Sequence, residues 1–460
     1  MDSPSVIDKI QLDNVANFKN QWYITYSLTG EDKLVEQWKK SVIATAIGQF
    51  SDPLDLGLRS TAIAFLTTEW GIGAGHIAFA SLIATPATAV FPLIGGPLID
   101  YIGRKKMWIL ANFLAAIMAF LGAIAQSWTE LAIYMGISSA TTIWSYASAV
   151  TFLREEVPPH LRVRALTVGM AIVGLFSSSL FSSFLALSET IPWITWRFMF
   201  AYVGFVNLVA TFAGIFLLRE PPEWVERRRK GREKGSEKKE RSSYMALFSR
   251  ELKTYWLAIW VPVIFGVAWF SSVFGAYTTW FSLTALKFTR AIIGVIGMIS
   301  PYITMAVRLI VAHFADKHGK LKTILVCAII GVIASQIYWR LTYLFPPGPY
   351  LELIITAFIF STLMGFAGVT IESPVQMFVA EILPASVRGT GIAFIQFPNK
   401  VLSSLLWVPL VGYLVEATKN TQEVVALTLL ALGVAGIIII LACMRKGLEK
   451  TVAGSGTKPS

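Results

Sequence analysis

The chain has 460 residues, of which 55% are hydrophobic and only 15% charged, with 30 Phe and 15 Trp. A soluble domain carries roughly a quarter charged residues, so most of this chain does not face water. The net charge of +11 does not point to nucleic acid, because the basic residues sit in short clusters between long apolar runs, as in a multi-span membrane protein.

Cys327 and Cys443 both lie inside apolar runs and imply no disulfide framework. The four histidines show no metal-ligand spacing, so neither a metal nor a cofactor is expected. Residues 1–40 are polar and mixed in charge, without the pattern of a cleavable signal peptide.

A helix that crosses a bilayer needs roughly 20 apolar residues. Twelve stretches qualify: 42–66, 77–99, 107–126, 130–153, 164–188, 197–218, 255–282, 291–313, 322–344, 351–379, 388–415 and 423–444. The first is the least regular, since it holds Asp52, Asp55 and Arg59.

Lys39 and Lys40 precede span 1, Arg104, Lys105 and Lys106 follow span 2, and Arg154, Arg162 and Arg164 flank the joint of spans 4 and 5. Lys317, Lys320 and Lys322 follow span 8, and Arg445 and Lys446 follow span 12. The alternate loops carry few basic residues, which predicts that both termini are cytoplasmic. The longest loop joins spans 6 and 7. It contains Arg227, Arg228, Arg229 and Lys230, and its composition cannot bury a core.

The expected organisation is therefore an N-terminal segment 1–40, a six-helix bundle 41–218, a cytoplasmic linker 219–253, a second six-helix bundle 254–445 and a tail 446–460. The linker is expected to include a short helix lying on the anionic inner leaflet.

Two loop patterns occur once in each half. After span 2 the chain carries Asp100, Gly103, Arg104 and Lys106; after span 8 it carries Asp316, Gly319, Lys320 and Lys322. Glu155, Pro158 and Arg162 follow span 4, and Glu381, Pro384 and Arg388 follow span 10. The offsets are 216 and 226 residues. Two matches in the same order at equivalent span positions indicate a duplicated bundle. The glycines permit a tight reversal between antiparallel helices, and the flanking acids and bases are candidates for pairs that make and break as the halves rock.

The first pattern resembles the signature loop of the major facilitator superfamily. The second is similar to the Glu-x-x-Pro-x-x-x-Arg element of its sugar porters and metabolite/proton symporters. The segment from Glu220 to Arg227 resembles the one that closes the first half in those groups. Gln49 to Asp55 resembles the span 1 motif of aromatic-acid and metabolite symporters, although Pro53 and Leu54 interrupt it. Trp196 and Arg197 match a pair that often opens span 6.

The resemblance implies an all-α membrane protein of twelve transmembrane helices in two pseudo-symmetric halves. It also implies alternating access around a central pocket lined mainly by spans 1, 4, 7 and 10. No nucleotide-binding P-loop is present, so a gradient is the expected energy source.

An ionisable group inside a span costs roughly 2.5–3.5 kcal/mol on insertion scales, and is retained when paired or functional. Gln49, Asp52, Asp55 and Arg59 fall within an arc of about 120° on a helical wheel, and Asp55 and Arg59 are spaced to pair on the helix itself. Pro53 is expected to kink span 1. Asp52, Asp55 and Glu372 are the candidate proton acceptors.

Gln49, Arg59, Trp144, Tyr277, Gln376, Gln396, Asn399 and Lys400 are the candidate substrate contacts, with Trp269 and Trp280 as further pocket aromatics. Each of these residues also has a structural reading: a static Asp–Arg pair, a salt bridge from Lys400 to Glu372 or to a span 1 aspartate, and packing for the aromatics.

The leading expectation is a proton-coupled symporter of a small organic acid or sugar-like metabolite, a monomer in the plasma membrane whose partners are its substrate, protons and the lipid bilayer. A proton-driven exporter of amphiphilic compounds and a non-transporting nutrient sensor are the alternatives.

Overall fold

The computed structural model describes residues 31–157, 173–221, 225, 256–265, 273–368, 370–371, 374–375, 378, 397–398 and 401–448. The side chains of some helical positions within these stretches, among them Asp52, Asp55, Asp100, Glu155 and Asp316, fall outside that description.

The helices are α1 Glu31–Glu69, α2 Ala74–Ile102, α3 Arg104–Ile124, α4 Trp128–Glu156, α5 Val173–Leu187, α6 Trp196–Leu217, α7 Trp256–Phe265 and α8 Val273–Thr284. They continue with α9 Arg290–His318, α10 Lys320–Tyr338, the single turn α11 Leu341–Leu344, α12 Leu351–Met364, α13 Val408–Thr418 and α14 Thr421–Arg445. No strand occurs among the described residues.

Among the described residues, five helices are long and apolar enough to cross a membrane: Arg104–Ile124, Trp196–Leu217, Arg290–Ala315, Lys320–Tyr338 and Thr421–Arg445. Large apolar side chains such as Phe113, Phe120, Phe212, Phe216, Leu309, Ile310 and Phe314 stay exposed along α3, α6 and α9, a lipid-facing rather than a water-facing surface.

The turns are set by local chemistry. Gly103 joins α2 to α3 with φ 115° and ψ 152°, and Gly319 joins α9 to α10 with φ 96° and ψ 146°. Both lie where a side chain is disfavoured, and the repeat thus reproduces the same backbone device.

At the opposite, Lys/Arg-poor end, helix starts are capped by side chains that accept a backbone N–H. Ser127 accepts from Glu130, Thr195 from Phe198, Thr289 from Ile292 and Asn420 from Glu423.

The structure departs from the expected spans in four places, the simplest being span 9, where α10 ends at Tyr338 and a turn precedes α11. Helix α1 begins at Glu31, well before residue 42, and runs through Pro53 without an interruption in its helical assignment. Its early turns are held by Gln37, whose Nε2 donates to the Leu217 carbonyl at 3.0 Å. In span 10 the α-helix ends at Met364 and tightens into a 3₁₀ turn, Gly365–Ala367, before Gly368 leaves helical geometry. There the chain passes close over Gly331 of α10, a position at which a Cβ would collide with Ala367. In span 11 a π-turn, Leu402–Trp407, precedes α13. Pro409 opens α13 without an N–H, and its ring crowds the preceding carbonyl, which a wider turn relieves.

Helices before Arg219 pack mainly on one another, and so do those from Trp256 onward. Trp108 of α3 is fully buried against Gly48 of α1 and Gly214 of α6.

The two groups meet along three seams: α2 on α13, α5 on α9, and α1 with α8. In the first seam Gly412 lies against Ala78 and the Ala74 carbonyl; in the second Gly294 lies against Ala186. A Cβ at either glycine would overlap the opposing helix. Ala78 and Gly294 are 216 positions apart, and Ala186 and Gly412 are 226 apart, the same offsets that separate the loop motifs. The duplicated bundle therefore repeats its seams in register.

Candidate transport site

The polar stripe of α1 is helical throughout. Gln49 is 9% exposed. Arg59 reaches across to α2, where it donates to the Ser81 hydroxyl and to the Ile77 carbonyl at 3.4 Å. Ser81 is itself buried and donates to the same Ile77 carbonyl at 3.1 Å. Tyr277 of α8 lies within electrostatic reach of Arg59. It is fully buried, and its hydroxyl donates to the Val408 carbonyl of α13 at 2.7 Å. Arg59 thus sits at a junction of α1, α2, α8 and α13, where the two helix groups touch.

Of the other expected substrate contacts, Trp144 is 6% exposed. Its ring stacks on Phe91 with centroids 4.7 Å apart, and its Nε1 donates to the Phe91 carbonyl at 2.7 Å. These contacts tie α4 to α2. Trp280 donates from Nε1 to the Ile72 carbonyl at 3.2 Å, joining α8 to the loop after α1. Trp269, Glu372, Gln376, Gln396, Asn399 and Lys400 lie outside the described residues, as do the side chains of Asp52 and Asp55.

Among the loop-motif residues, Asp100, Glu155 and Asp316 fall in the last turns of α2, α4 and α9. Arg162, Glu381 and Arg388 lie outside the described residues. Arg104 is buried, with 3% of its surface exposed, and its amide donates to Glu220 Oε2 at 2.9 Å. The Glu220 carboxylate also accepts from the Lys106 amide at 3.4 Å. It therefore caps the start of α3, where the helix dipole favours an anion, in the space a Cβ on Gly103 would fill. Lys320 opens α10.

Several polar positions inside the bundle were not singled out by sequence reasoning. A small void of about 10 Å³, room for about one water, lies between α1, α3, α4 and α6. Gly48, Ser51, Asn112, Thr142, Ser145 and Asn207 contribute to its lining. Asn112 donates to the Trp108 carbonyl at 2.8 Å and to Ser145 at 3.0 Å. An Asn in the middle of an apolar run was the available signal, since an amide there needs partners. Ser81 carried the same kind of signal more weakly, because a serine in a helix satisfies itself on its own backbone.

A polytopic helical bundle with duplicated loop turns, in-register seams and a partly buried cation at the junction has the architecture of a membrane transporter. The sequence profile of the Major Facilitator Superfamily matches residues 45–406, and the chain belongs to that family.

NiaP of Bacillus subtilis (strain 168), a protein named for niacin/nicotinamide transport, is 23% identical over 371 residues, spanning 79% of this chain and 85% of its own. The 4-hydroxybenzoate transporter PcaK of Pseudomonas aeruginosa is 27% identical over 209 residues, 43% of each chain. The crystal structure of a D-xylose-proton symporter superposes with a TM-score of 0.64 at 13% identity, covering 88% of this chain and 97% of the other, which shows the shared fold. The chain is thus an integral membrane transporter of small molecules, not an enzyme.

Proposed function

We propose that this transporter couples proton movement to the symport of a small organic acid across the plasma membrane. The observation that carries the reading is Arg59, a partly buried guanidinium at the meeting of α1, α2, α8 and α13, hydrogen-bonded to Ser81 and the Ile77 carbonyl. A guanidinium carries five donors in a fork that fits a carboxylate, so capture of an acid at Arg59 is compatible with the Ser81 bond.

Asp52 and Asp55 share the helix with Arg59, and one of them is assigned the coupling proton. Protonation removes a charge that competes with the substrate carboxylate for Arg59. The names of NiaP and PcaK, which point to niacin/nicotinamide and 4-hydroxybenzoate, support a small ring-bearing acid. A sugar-like metabolite is the second reading, supported by the amide and indole side chains expected around the pocket.

In this reading the Lys/Arg-rich end, with Gly103 and Gly319, is cytoplasmic, and so are both termini. Two six-helix bundles, 41–218 and 254–445, flank a linker, 219–253, and lipid surrounds a monomer. In proteoliposomes, Asp55→Asn is expected to abolish accumulation of a carboxylate substrate driven by a pH gradient while leaving counterflow exchange intact. Undiminished gradient-driven uptake by that variant would refute the proton role of Asp55.

A further inference from the structure

The seams carry a second duplicated feature at the Lys/Arg-poor end. Glu189, just beyond α5, accepts a hydrogen bond from the Arg290 amide at 2.7 Å, the first residue of α9. Glu416, near the end of α13, places its carboxylate against Gly75 in the first turn of α2, in the space a Cβ would take.

Each carboxylate therefore comes from one helix group and rests on the N-terminus of a helix from the other. Positions 75 and 291 are 216 apart, and positions 189 and 415 are 226 apart. Glu189 with the start of α9 and Glu416 with the start of α2 are thus equivalent under the repeat to within one residue.

Both carboxylates are exposed, as a contact that makes and breaks at an aqueous face has to be. Two neighbouring contacts close the same end: Trp280 on the Ile72 carbonyl, and the Arg290 guanidinium over the Phe65 ring, 4.6 Å from its centroid.

We propose that Glu189 and Glu416 form a twofold latch that sets the transporter's conformational equilibrium. Each carboxylate is stabilised by the partial positive charge at a helix start, and Glu189 also accepts the Arg290 N–H; each interaction is lost when that end opens. The latch residues are positioning residues: they weight one side of the alternating cycle and need not touch substrate. The inference requires only that the two helix groups separate at this end. It does not depend on which solute or ion is carried.

Pulsed electron–electron distance measurements on the full chain in lipid nanodiscs test it directly. Spin labels are placed on Ile124→Cys and Tyr343→Cys, which are 67% and 59% exposed at this end on opposite helix groups, with Cys327 and Cys443 replaced by alanine. Without substrate, the double variant Glu189→Gln, Glu416→Gln is expected to raise the open-to-closed ratio about two- to fivefold, each single variant contributing part of the rise.

Gly75→Ala fills the seat of the Glu416 carboxylate and is expected to shift the ratio in the same direction. Combined with Glu416→Gln it adds nothing further, because both remove one interaction. Glu352→Gln neutralises an exposed acid in the first turn of α12 and leaves the distribution unchanged. A double variant with the parental distance distribution overturns the proposal, and so does an equal shift produced by Glu352→Gln.

Discussion

Glu69, at the end of α1, accepts a hydrogen bond from the indole of Trp196 at the start of α6, with Oε2 and Nε1 3.0 Å apart. The neighbouring Arg197 stacks over the same indole at 4.2 Å. It donates to the Ala123 and Ala125 carbonyls at 2.9 and 3.0 Å, satisfying the end of α3. The Trp-Arg pair thus ties together the ends of three helices.

Trp196 is 2% exposed. Trp196→Phe keeps most of the packing and loses the bond to Glu69, so it is expected to cost about 1 kcal/mol. Trp196→Ala also opens a cavity and is expected to cost about 3–5 kcal/mol. Reversible unfolding in mixed detergent micelles, followed by tryptophan fluorescence, measures both. A Phe variant as damaged as the Ala variant would contradict the assignment.

Gly103→Ala and Gly319→Ala both force a side chain into an extended positive-φ region that is essentially glycine-only, at about 1–3 kcal/mol each. At Gly103 the new Cβ would also displace a carboxylate, that of Glu220. Gly103→Ala is therefore expected to cost more than the backbone strain alone, and Glu220→Ala to relieve the excess. Thermal melting of the purified variants decides it.

At the transport junction, Arg59→Lys keeps the charge and loses the planar fork. Uptake of an anionic substrate is expected to fall at least about tenfold, the loss expected for roughly one charge-assisted hydrogen bond. Lys400→Ala is expected to weaken binding of anionic candidates more than neutral ones. Isothermal titration with matched acids and amides reads both variants, and equal losses for acid and amide would argue against carboxylate recognition.

Arg340 and Glu423 form a bidentate pair, with Nε to Oε1 at 2.8 Å and Nη2 to Oε2 at 2.6 Å. The Glu423 hydrogen bond holds the Arg340 proton more firmly than in a free guanidinium. Both side chains are about a third exposed, at 28% and 32%, so screening limits the pair to about 1 kcal/mol or less. Glu423→Gln is expected to cost no more than that. The difference from the parent is expected to shrink as salt rises from 50 mM to about 500 mM, measured as the shift in melting temperature.

The sequence made the two glycine turns legible, because Gly103 and Gly319 act on their own neighbours within a few residues; the caps at Ser127, Thr195, Thr289 and Asn420 act just as locally but were not read from it. It missed the early start of α1, because the polar turns from Glu31 are held by a distant carbonyl, that of Leu217, rather than by apolar periodicity. It missed the break after Met364 and the π-turn before α13, both of which arise from packing and backbone crowding inside runs that read as continuously apolar. In the candidate site, the stripe from Gln49 to Arg59 was visible as a helical face. The partners of Arg59 on α2 and α8 were not, because nothing along the chain announces which neighbouring helix supplies Ser81 or Tyr277. Glu189 and Glu416 were invisible for the same reason, each being an ordinary loop-side acid until the opposite bundle is brought against it.

The Ala78–Gly412 and Gly294–Ala186 contacts bring helix backbones close with only small groups at the points of nearest approach, beside the Tyr277 hydroxyl in the first seam and Ser179 and Ser182 in the second. Few rotamers have to change there for one helix to roll on the other. In the proposed cycle these contacts would serve as a matched pair of low-friction bearings, and added bulk on either one is expected to slow turnover while leaving the grip on the cargo intact.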